Sequence, residues 1–177
     1  MRFKETEVEG AYEITLEKRS DERGFFARGF CEEEFKKQGI SFRMVQANIG
    51  YNKYQNTLRG LHYQMGPHAE KKLVKCVKGG IYDVVVDLRT GSPSYRHWAG
   101  RELTEDNHAM LFIPEGCAHG YQTLTDDSEV SYMVSAFYEP EAERGILWDD
   151  PVFNIKWKKA GNMILSEKDK NWPGYTL

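Results

Sequence analysis

Short runs of apolar, β-branched and aromatic residues recur along the whole chain, and glycine, proline or aspartate turns separate most of them. This pattern predicts strands over residues 12–16, 25–30, 44–49, 57–63, 73–78, 81–88, 98–103, 110–113, 121–124 and 130–138. Many short strands at nearly regular spacing are typical of a β-sandwich or β-barrel, whereas alternating strands and helices would indicate a parallel sheet. The chain is therefore predicted to be all-β.

Two of these strands alternate clearly enough to assign their faces. In the strand over residues 81–88 every second residue is apolar, and these residues share one face: Tyr82, Val84, Val86 and Leu88. Asp83 and Asp87 then lie on the opposite face. In the strand over residues 130–138, the same alternation places Tyr132 on one face together with Val130 and Val134.

Only two stretches are typical of helices, and both are short. Residues 31–38 carry three glutamates in the first turn and two lysines in the last turn, and they precede Gly39, which gives the charge order and stop signal that a helix favours. Residues 166–170 begin with Ser166, whose hydroxyl is suited to cap a tight helical turn that carries Lys168 and Asp169.

Composition and charge bound the possible functions. The chain has 177 residues, 40% of them apolar, which suffices for one hydrophobic core without disulfides, and no linker-like segment divides it. We therefore expect one domain over residues 1–177. The formal net charge of −3 gives no basic field for nucleic acid or an anionic membrane, and no apolar run approaches the roughly 18 residues of a membrane-spanning helix.

The cysteines indicate a reducing environment. Cys31, Cys76 and Cys117 are odd in number and widely spaced, so they predict neither a disulfide framework nor a zinc knuckle. The first residues mix charges and lack the apolar stretch of a secretory signal. Together these features predict a cytoplasmic protein.

Three short segments carry candidate chemistry. Arg59 and His62 lie three positions apart on one predicted strand, hence on opposite faces unless Gly60 forms a bulge. His119 follows a tight turn and is flanked by small residues, where the backbone can approach a ligand closely. Lys72 places a cation at the start of a strand that otherwise alternates. Each of these residues could also be an ordinary core or surface side chain.

Other catalytic classes have weaker support. The five histidines form no His-x-His pair and have no carboxylate at the spacing of a mononuclear site, so no metal is expected. No Gly-x-Ser-x-Gly motif is present, and no cysteine has an evident source of a lowered thiol pKa. Histidine, lysine, tyrosine and arginine together suit proton abstraction next to a ketone on a phosphorylated substrate, because they supply a base, an enolate stabiliser, an acid and phosphate ligands.

The order of the motifs resembles the dTDP-4-dehydrorhamnose 3,5-epimerase family over almost the whole chain. The motifs are Asp21-x-Arg23-Gly24-Phe25-Phe26, Gln46-x-Asn48, Leu58-Arg59-Gly60-Leu61-His62-Tyr63-Gln64, Lys72-Leu73-Val74, Gly80-x-x-x-Asp83-Val84-Val85-Val86-Asp87-Leu88-Arg89, Ser92-Pro93, Ile113-Pro114-x-Gly116-x-Ala118-His119-Gly120, Trp148-x-Asp150-Pro151 and Leu165-Ser166-x-Lys168-Asp169. The resemblance implies a cupin-type jelly roll with a few short helices, dimeric through sheet extension. It also implies cofactor-independent epimerisation of a nucleotide-diphosphate 4-keto-6-deoxyhexose at C3, C5 or both, in deoxysugar biosynthesis of the rhamnose type.

The resemblance also implies roles for individual residues. His62 corresponds to the proton acceptor, Asp169 to the carboxylate that orients it, Tyr132 to the proton donor and Lys72 to the cation near the keto oxygen. The implied substrate contacts are Arg23, Gln46, Asn48, Arg59, His119, Tyr138, Glu143 and Lys168. Among these, Tyr138 falls where the family stacks an aromatic ring on the base.

The chain departs from the family pattern at three positions. Arg28 stands where a glutamate is expected among the substrate contacts, and Gly50 and Asn52 replace the usual serines. Replacing a carboxylate by a cation reverses the local charge, so Arg28 is a candidate specificity residue.

Three alternatives stay open at this point. The same fold and base would serve a single-carbon epimerase or a 3,4-ketoisomerase on another nucleotide sugar, and the fold alone would serve a non-catalytic sugar-nucleotide-binding cupin. His62, Asp169 and Tyr132 together argue against the binding protein, because binding needs neither a base nor an opposed acid.

Overall fold

The computed structural model describes residues 1–158 and 162–176. In these residues the strands, in chain order, are β1 Arg2–Glu5, β2 Tyr12–Thr15, β3 Arg19–Asp21, β4 Gly24–Phe26, β5 Gln46–Asn52, β6 Leu58–Gln64, β7 Lys72–Lys78, β8 Gly80–Asp87, β9 Trp98–Thr104, β10 Met110–Ile113, β11 Cys117–Thr123, β12 Ser128–Val134 and β13 Glu143–Gly145. The helices are α1 Glu32–Lys37 and α2 Glu167–Lys170, with a 3₁₀ turn at Gly66–His68. The all-β prediction is confirmed.

Two antiparallel sheets form the body of the molecule. One has the strand order β1-β2-β10-β7-β12-β5, the other has the order β13-β6-β11-β8-β9, and β3 pairs only with β4 in a separate hairpin. The sheets face each other across a shared core that includes Val74, Leu111 and Val130 from the first and Val85 and Leu103 from the second. Interdigitated apolar side chains between facing sheets are the usual source of stability in such a sandwich.

The outer faces of both sheets are partly covered as well. Helix α1 buries Phe35 against Leu73 and Phe112 on the outside of the first sheet. The C-terminal segment packs Phe153 against Val84 on the outside of the second sheet. Strand β8 is consequently buried on both sides, and its predicted division into an apolar face and a face with Asp83 and Asp87 is confirmed, since Val84 and Val85 pack in different clusters.

Some predicted boundaries were wrong. The strand expected over residues 25–30 ends at Phe26, the one expected over 130–138 ends at Val134, and β11 begins at Cys117 instead of Tyr121. Strands β1, β3 and β13 were not predicted at all. Strand β3 has only exposed residues and therefore lacks the alternation that reveals a half-buried strand.

No helix of the described residues is long and apolar enough to cross a membrane.

Candidate active site

A cavity opens between the two sheets and has two connected lobes. The larger lobe has a volume of about 640 Å³, and the smaller lobe has a volume of about 390 Å³. Three side chains line both lobes and therefore stand at their junction: His62, Lys72 and Tyr132. These are three of the four residues that the family resemblance of the motifs implied to be catalytic.

The first sheet supplies one wall because three neighbouring strands turn the same face to the cavity. Tyr132 on β12 lies directly opposite Asn48 on β5, and Val134 lies opposite Gln46 on one side and Lys72 on the other. Residues opposite one another, or two apart along one strand, share a face of the sheet. Tyr132, Lys72, Gln46 and Asn48 therefore share one face of the sheet, with Val134 between Gln46 and Lys72.

The second sheet supplies the facing wall. His62 on β6 lies opposite His119 on β11, while Arg59 lies opposite Tyr121, so one extra residue is accommodated on β6 between the two pairs. Gly60 takes up this irregularity with φ +124, where a Cβ atom would stand 2.5 Å from Cα of Gly120. The predicted bulge is confirmed, and it brings Arg59 and His62 to the same cavity.

Asp169 reaches the cavity through helix α2. The hydroxyl of Ser166 accepts a hydrogen bond from the backbone N–H of Asp169 at 3.1 Å, the cap expected from the sequence. Its carboxylate Oδ1 lies 2.6 Å from Nε2 of His62. Burial favours the neutral carboxyl group, but the hydrogen bond and charge of His62 outweigh burial and keep the pKa of Asp169 below its ordinary value. Asp169 is therefore a carboxylate that can orient the imidazole.

A second histidine–carboxylate pair lies beside the first. His119 Nε2 is 2.6 Å from Oδ1 of Asp83, and both side chains are buried. Oδ2 of Asp83 has no hydrogen-bond partner among the described residues. Asp83 was not predicted as a site residue, although its position on the polar face of β8, next to the strand that carries His119, is the signal that could have identified it.

The cations of the site differ in how they are neutralised. Lys72 Nζ lies 3.1 Å from Oε1 of Glu70, a carboxylate that the sequence reasoning missed. Lys168 Nζ lies 2.6 Å from Oε2 of Glu143. Arg59 instead donates to two neutral oxygens, Oδ1 of Asn52 and the backbone oxygen of Tyr51, and so keeps its full charge for an anion.

The smaller lobe ends at an exposed aromatic ring. Tyr138 donates its hydroxyl proton to Oε2 of Glu143 at 2.7 Å, and Oε1 of Gln46 accepts from the backbone N–H of Tyr138 at 2.7 Å. Burial raises the pKa of Glu143, but hydrogen bonds from Lys168 and Tyr138 bring it below the ordinary value. A flat ring held beside polar side chains is suited to stack on a planar heterocycle.

Burial keeps Tyr132 and Tyr121 in their neutral form. It raises the pKa of Tyr132 above its ordinary value and raises the pKa of Tyr121 to about 12. Tyr132 can therefore act as a proton donor at neutral pH.

Arg23 and Arg28 are the two predicted site residues that the chain does not bring to this cavity. Arg23 is held by Asp21 in the β3–β4 hairpin with 84% of its side chain exposed. Arg28 pairs with Glu34, which also binds the N-terminal amine. All other predicted site residues line one of the two lobes.

In residues 1–158 and 162–176, no group of three or more His, Cys, Asp or Glu side chains is arranged to hold a metal ion.

Comparison with known proteins identifies the family. The sequence profile of the dTDP-4-dehydrorhamnose 3,5-epimerase family matches residues 5–176. The chain is 42% identical over 173 residues to the enzyme of that name from Sinorhizobium fredii, covering 98% of this chain and 89% of the relative. It is similar to the crystal structure of the enzyme from Elizabethkingia anophelis with a TM-score of 0.96 and 37% identity, covering 99% of this chain and 96% of the other.

A third relative was crystallised with ligands. The enzyme of the same name from Bacillus anthracis, with TDP and PPi bound, has a TM-score of 0.93 and 37% identity to this chain, with coverage of 98% and 99%. These similarities confirm the predicted cupin-type fold and the resemblance found in the sequence. The chain belongs to the dTDP-4-dehydrorhamnose 3,5-epimerase family, whose members are isomerases that act on nucleotide sugars.

Proposed function

We propose that this chain epimerises a dTDP-linked 4-keto-6-deoxyhexose at C3 and C5 in deoxysugar biosynthesis. The observation that carries the proposal is the placement of the oriented base and the neutral tyrosine. His62, held by Asp169, projects from one sheet, and Tyr132 projects from the other, with the cavity between them. A sugar ring in this cavity meets a base on one face and an acid on the other, which is what inversion at carbon requires.

His62 is the proton acceptor in this proposal. With Nε2 donating to Asp169, the neutral imidazole keeps its lone pair on Nδ1. When His62 takes the proton from a carbon next to the ketone, the electron pair moves to the ketone oxygen and forms an enolate. The imidazolium that results is stabilised by the carboxylate of Asp169, as in other histidine–aspartate pairs.

Lys72 stabilises the enolate, and Tyr132 completes the inversion. Lys72 on β7 and Tyr132 on the adjacent strand β12 belong to one wall of the cavity. They are diagonal neighbours, because Lys72 lies opposite Val134 and Tyr132 lies opposite Val74. A cation at the developing negative charge lowers the barrier to deprotonation, and a neutral phenol on the opposite side returns a proton to the carbon. Exchange with solvent then returns His62 to the neutral imidazole and Tyr132 to the phenol, so the same base and acid serve C3 and C5 in turn, because both carbons flank the C4 ketone.

The remaining polar residues bind the nucleotide part. Arg59, His119 and Lys168 line the larger lobe with donors suited to a diphosphate. Gln46, Asn48 and Glu143 line the smaller lobe beside Tyr138, on which we place the base. The structure of the Bacillus anthracis relative with TDP and PPi supports a thymidine nucleotide.

The function is tested by proton exchange. Purified protein in deuterated water is mixed with the dTDP-, CDP-, UDP- and GDP-linked 4-keto-6-deoxyhexoses, and NMR follows deuterium at each carbon. We expect deuterium to enter at C3 and C5 with inversion of configuration, and we expect this exchange to be fastest for the dTDP-linked sugar. Deuterium at one carbon would instead identify a single-carbon epimerase, a shift of the keto group would identify a 3,4-ketoisomerase, and no uptake would identify a binding protein.

The specificity role of Arg28 gives one prediction. Arg28 lies outside the cavity of its own chain, so a specificity role requires that it reach the site of the partner subunit. In that case Arg28→Glu is expected to change the preference among the four nucleotides but to leave exchange on the best substrate within about tenfold, because a contact shared by ground and transition states mainly changes KM. Ratios of kcat/KM for the four sugars measure the effect. Unchanged ratios would show that Arg28, with 61% of its side chain exposed, is an ordinary surface residue.

We also propose that the protein works as a homodimer joined along β5. This strand lies at the free edge of the first sheet, and its outward residues Ala47, Ile49 and Tyr51 are exposed, with 77% exposure at Ile49. An exposed edge with apolar side chains is suited to pair with a second chain. Because β5 also lines the cavity, we propose that Arg23, which lies outside the cavity of its own chain, reaches the site of the partner subunit.

Mixing two inactive variants tests this arrangement. Arg23→Ala alone is expected to have a strongly reduced kcat/KM and His62→Ala alone no activity, but mixed dimers have one site with His62 from one chain and Arg23 from the other. Random subunit exchange should restore about a quarter of the wild-type sites, since half of the dimers are mixed and each has one intact site. Turnover is measured after co-refolding at equal concentrations. No recovery, with mixed dimers shown by mass spectrometry, would contradict the shared site.

Two further expectations from the sequence remain proposals. We propose that residues 1–177 act as one domain, supported by the contribution of both sheets and helix α2 to one cavity. We propose a cytoplasmic location, supported by the free thiols of Cys31, Cys76 and Cys117.

A further inference from the structure

Arg59 is anchored to the edge strand β5 by two hydrogen bonds. Its Nε donates to Oδ1 of Asn52 at 2.8 Å, and its Nη2 donates to the backbone oxygen of Tyr51 at 3.3 Å. A guanidinium has five N–H donors in a rigid plane, so fixing these two fixes the direction of the other three. Both acceptors are uncharged, so the anchor leaves the positive charge of Arg59 available to a ligand.

The amide of Asn52 can adopt only one orientation in this network. Asn52 is 2% exposed, and its Nδ2 lies 3.2 Å from the backbone oxygen of Ser128 and 3.3 Å from that of Gly50. Rotating the amide by half a turn would place Oδ1 against two carbonyl oxygens and the NH₂ group against the N–H of Arg59. The surrounding strands therefore hold Oδ1 toward Arg59.

Tyr121 and Gly50 complete the same arrangement. The hydroxyl of Tyr121 lies 3.3 Å from Nδ2 of Asn52, and a Cβ atom at position 50 would stand 3.1 Å from that hydroxyl. Glycine at position 50 therefore leaves room for the Tyr121 hydroxyl beside Asn52. Gly50 and Asn52 are the two positions where the chain lacks the serines that the family pattern led us to expect, so the structure links these departures to one another.

We infer that Asn52 is a positioning residue for Arg59: by fixing Nε it turns the remaining guanidinium donors into the larger lobe, where they bind the diphosphate of the substrate. The inference rests on the proposed function for the identity of the anion. Asn52 does not itself contact the substrate. It acts through Arg59 on substrate binding in the ground state and does not change the proton transfer at the reacting carbons.

A double-mutant cycle tests the inference. Binding of dTDP is measured by isothermal titration calorimetry for wild type, Asn52→Ala, Arg59→Ala and the double variant. We expect Asn52→Ala to weaken binding about tenfold, in line with loss of one hydrogen bond to a charged group, and to have less than about a twofold effect once Arg59 is absent. In turnover assays Asn52→Ala should raise KM while kcat for proton exchange stays within about twofold of wild type.

Ser128→Ala is the matched control. Ser128 is buried on β12 opposite Asn52, and its hydroxyl bonds to the backbone oxygens of Gly80 and Thr125 but not to Arg59. The Ser128→Ala variant should have a lower melting temperature than wild type, but its affinity for dTDP should stay within about twofold of the wild-type value, since destabilisation alone does not move Arg59. Asn52→Ser, whose side chain is too short to reach Nε, replaces the alanine variant if that variant does not fold.

The possible results separate two failures. If Asn52→Ala weakens dTDP binding equally with and without Arg59, or does not weaken it at all, the role of Asn52 is overturned while the proposed function stands. A wild-type protein that does not bind dTDP, or an Arg59→Ala variant that binds it normally, would overturn the assignment of the diphosphate site and the inference with it.

Discussion

His62→Ala is expected to abolish measurable deuterium uptake next to the ketone, a loss of roughly 10²- to 10⁴-fold or more, because the variant has no base in reach of the proton. The loss should appear at C3 and C5 together, since one imidazole serves both carbons in the proposed mechanism. The measurement is the decay of the two proton signals by NMR in deuterated water. Binding of dTDP, measured separately, should be retained because the nucleotide contacts remain in place.

Asp169→Asn provides the graded control for the same step. The amide keeps the size of the carboxylate but carries no charge, so it still contacts Nε2 of His62 and stabilises the imidazolium less. Because the pKa of Asp169 lies below its ordinary value, the wild-type group stays ionised throughout the neutral range, and its loss should slow exchange at every pH there. Normal exchange by His62→Ala would show that another group removes the proton.

The sequence predicted most strands from apolar runs and alternation and missed strands such as β3, which has only exposed residues. Strand β5 was predicted over residues 44–49 although its inward positions are polar or glycine, Gln46, Asn48 and Gly50, while Ile49 is exposed. Core formation normally turns apolar residues inward, so β5 has the inverse of the expected pattern. The inversion arises because one face lines a polar cavity and the other is left for a partner.

The sequence motifs predicted which residues could perform the chemistry of the site, but they did not predict how the surrounding residues hold them. His62, Lys72 and Tyr132 were predicted as site residues, and all three line both lobes of the cavity. Asn52 and Tyr121 were missed as site residues because their roles depend on contacts between β5, β6 and β11 that no local spacing reveals. Contacts between distant segments depend on strand register and on bulges such as the one at Gly60. The sequence indicates that a bulge can form there, but it does not determine which residues the bulge brings together.

Separating deprotonation from inversion is the strictest test of the roles of His62 and Tyr132. Tyr132→Phe removes the hydroxyl and leaves the ring, which packs against the core between the sheets, so the fold should be retained. His62 and Lys72 still allow the enolate to form. The variant should therefore take up deuterium next to the ketone at a measurable rate.

The inverted product, in contrast, should fall by roughly 10²- to 10⁴-fold in Tyr132→Phe, the contribution of a positioned general acid. Without the phenol, the enolate is reprotonated by His62 on the face from which the proton left, so deuterium enters with retention of configuration. Chiral analysis of the labelled sugar and its NMR couplings distinguishes retention from inversion. If Tyr132→Phe abolished uptake while His62→Ala retained it, the base and the acid would have to be exchanged, with tyrosine acting as phenolate despite the burial that raises its pKa.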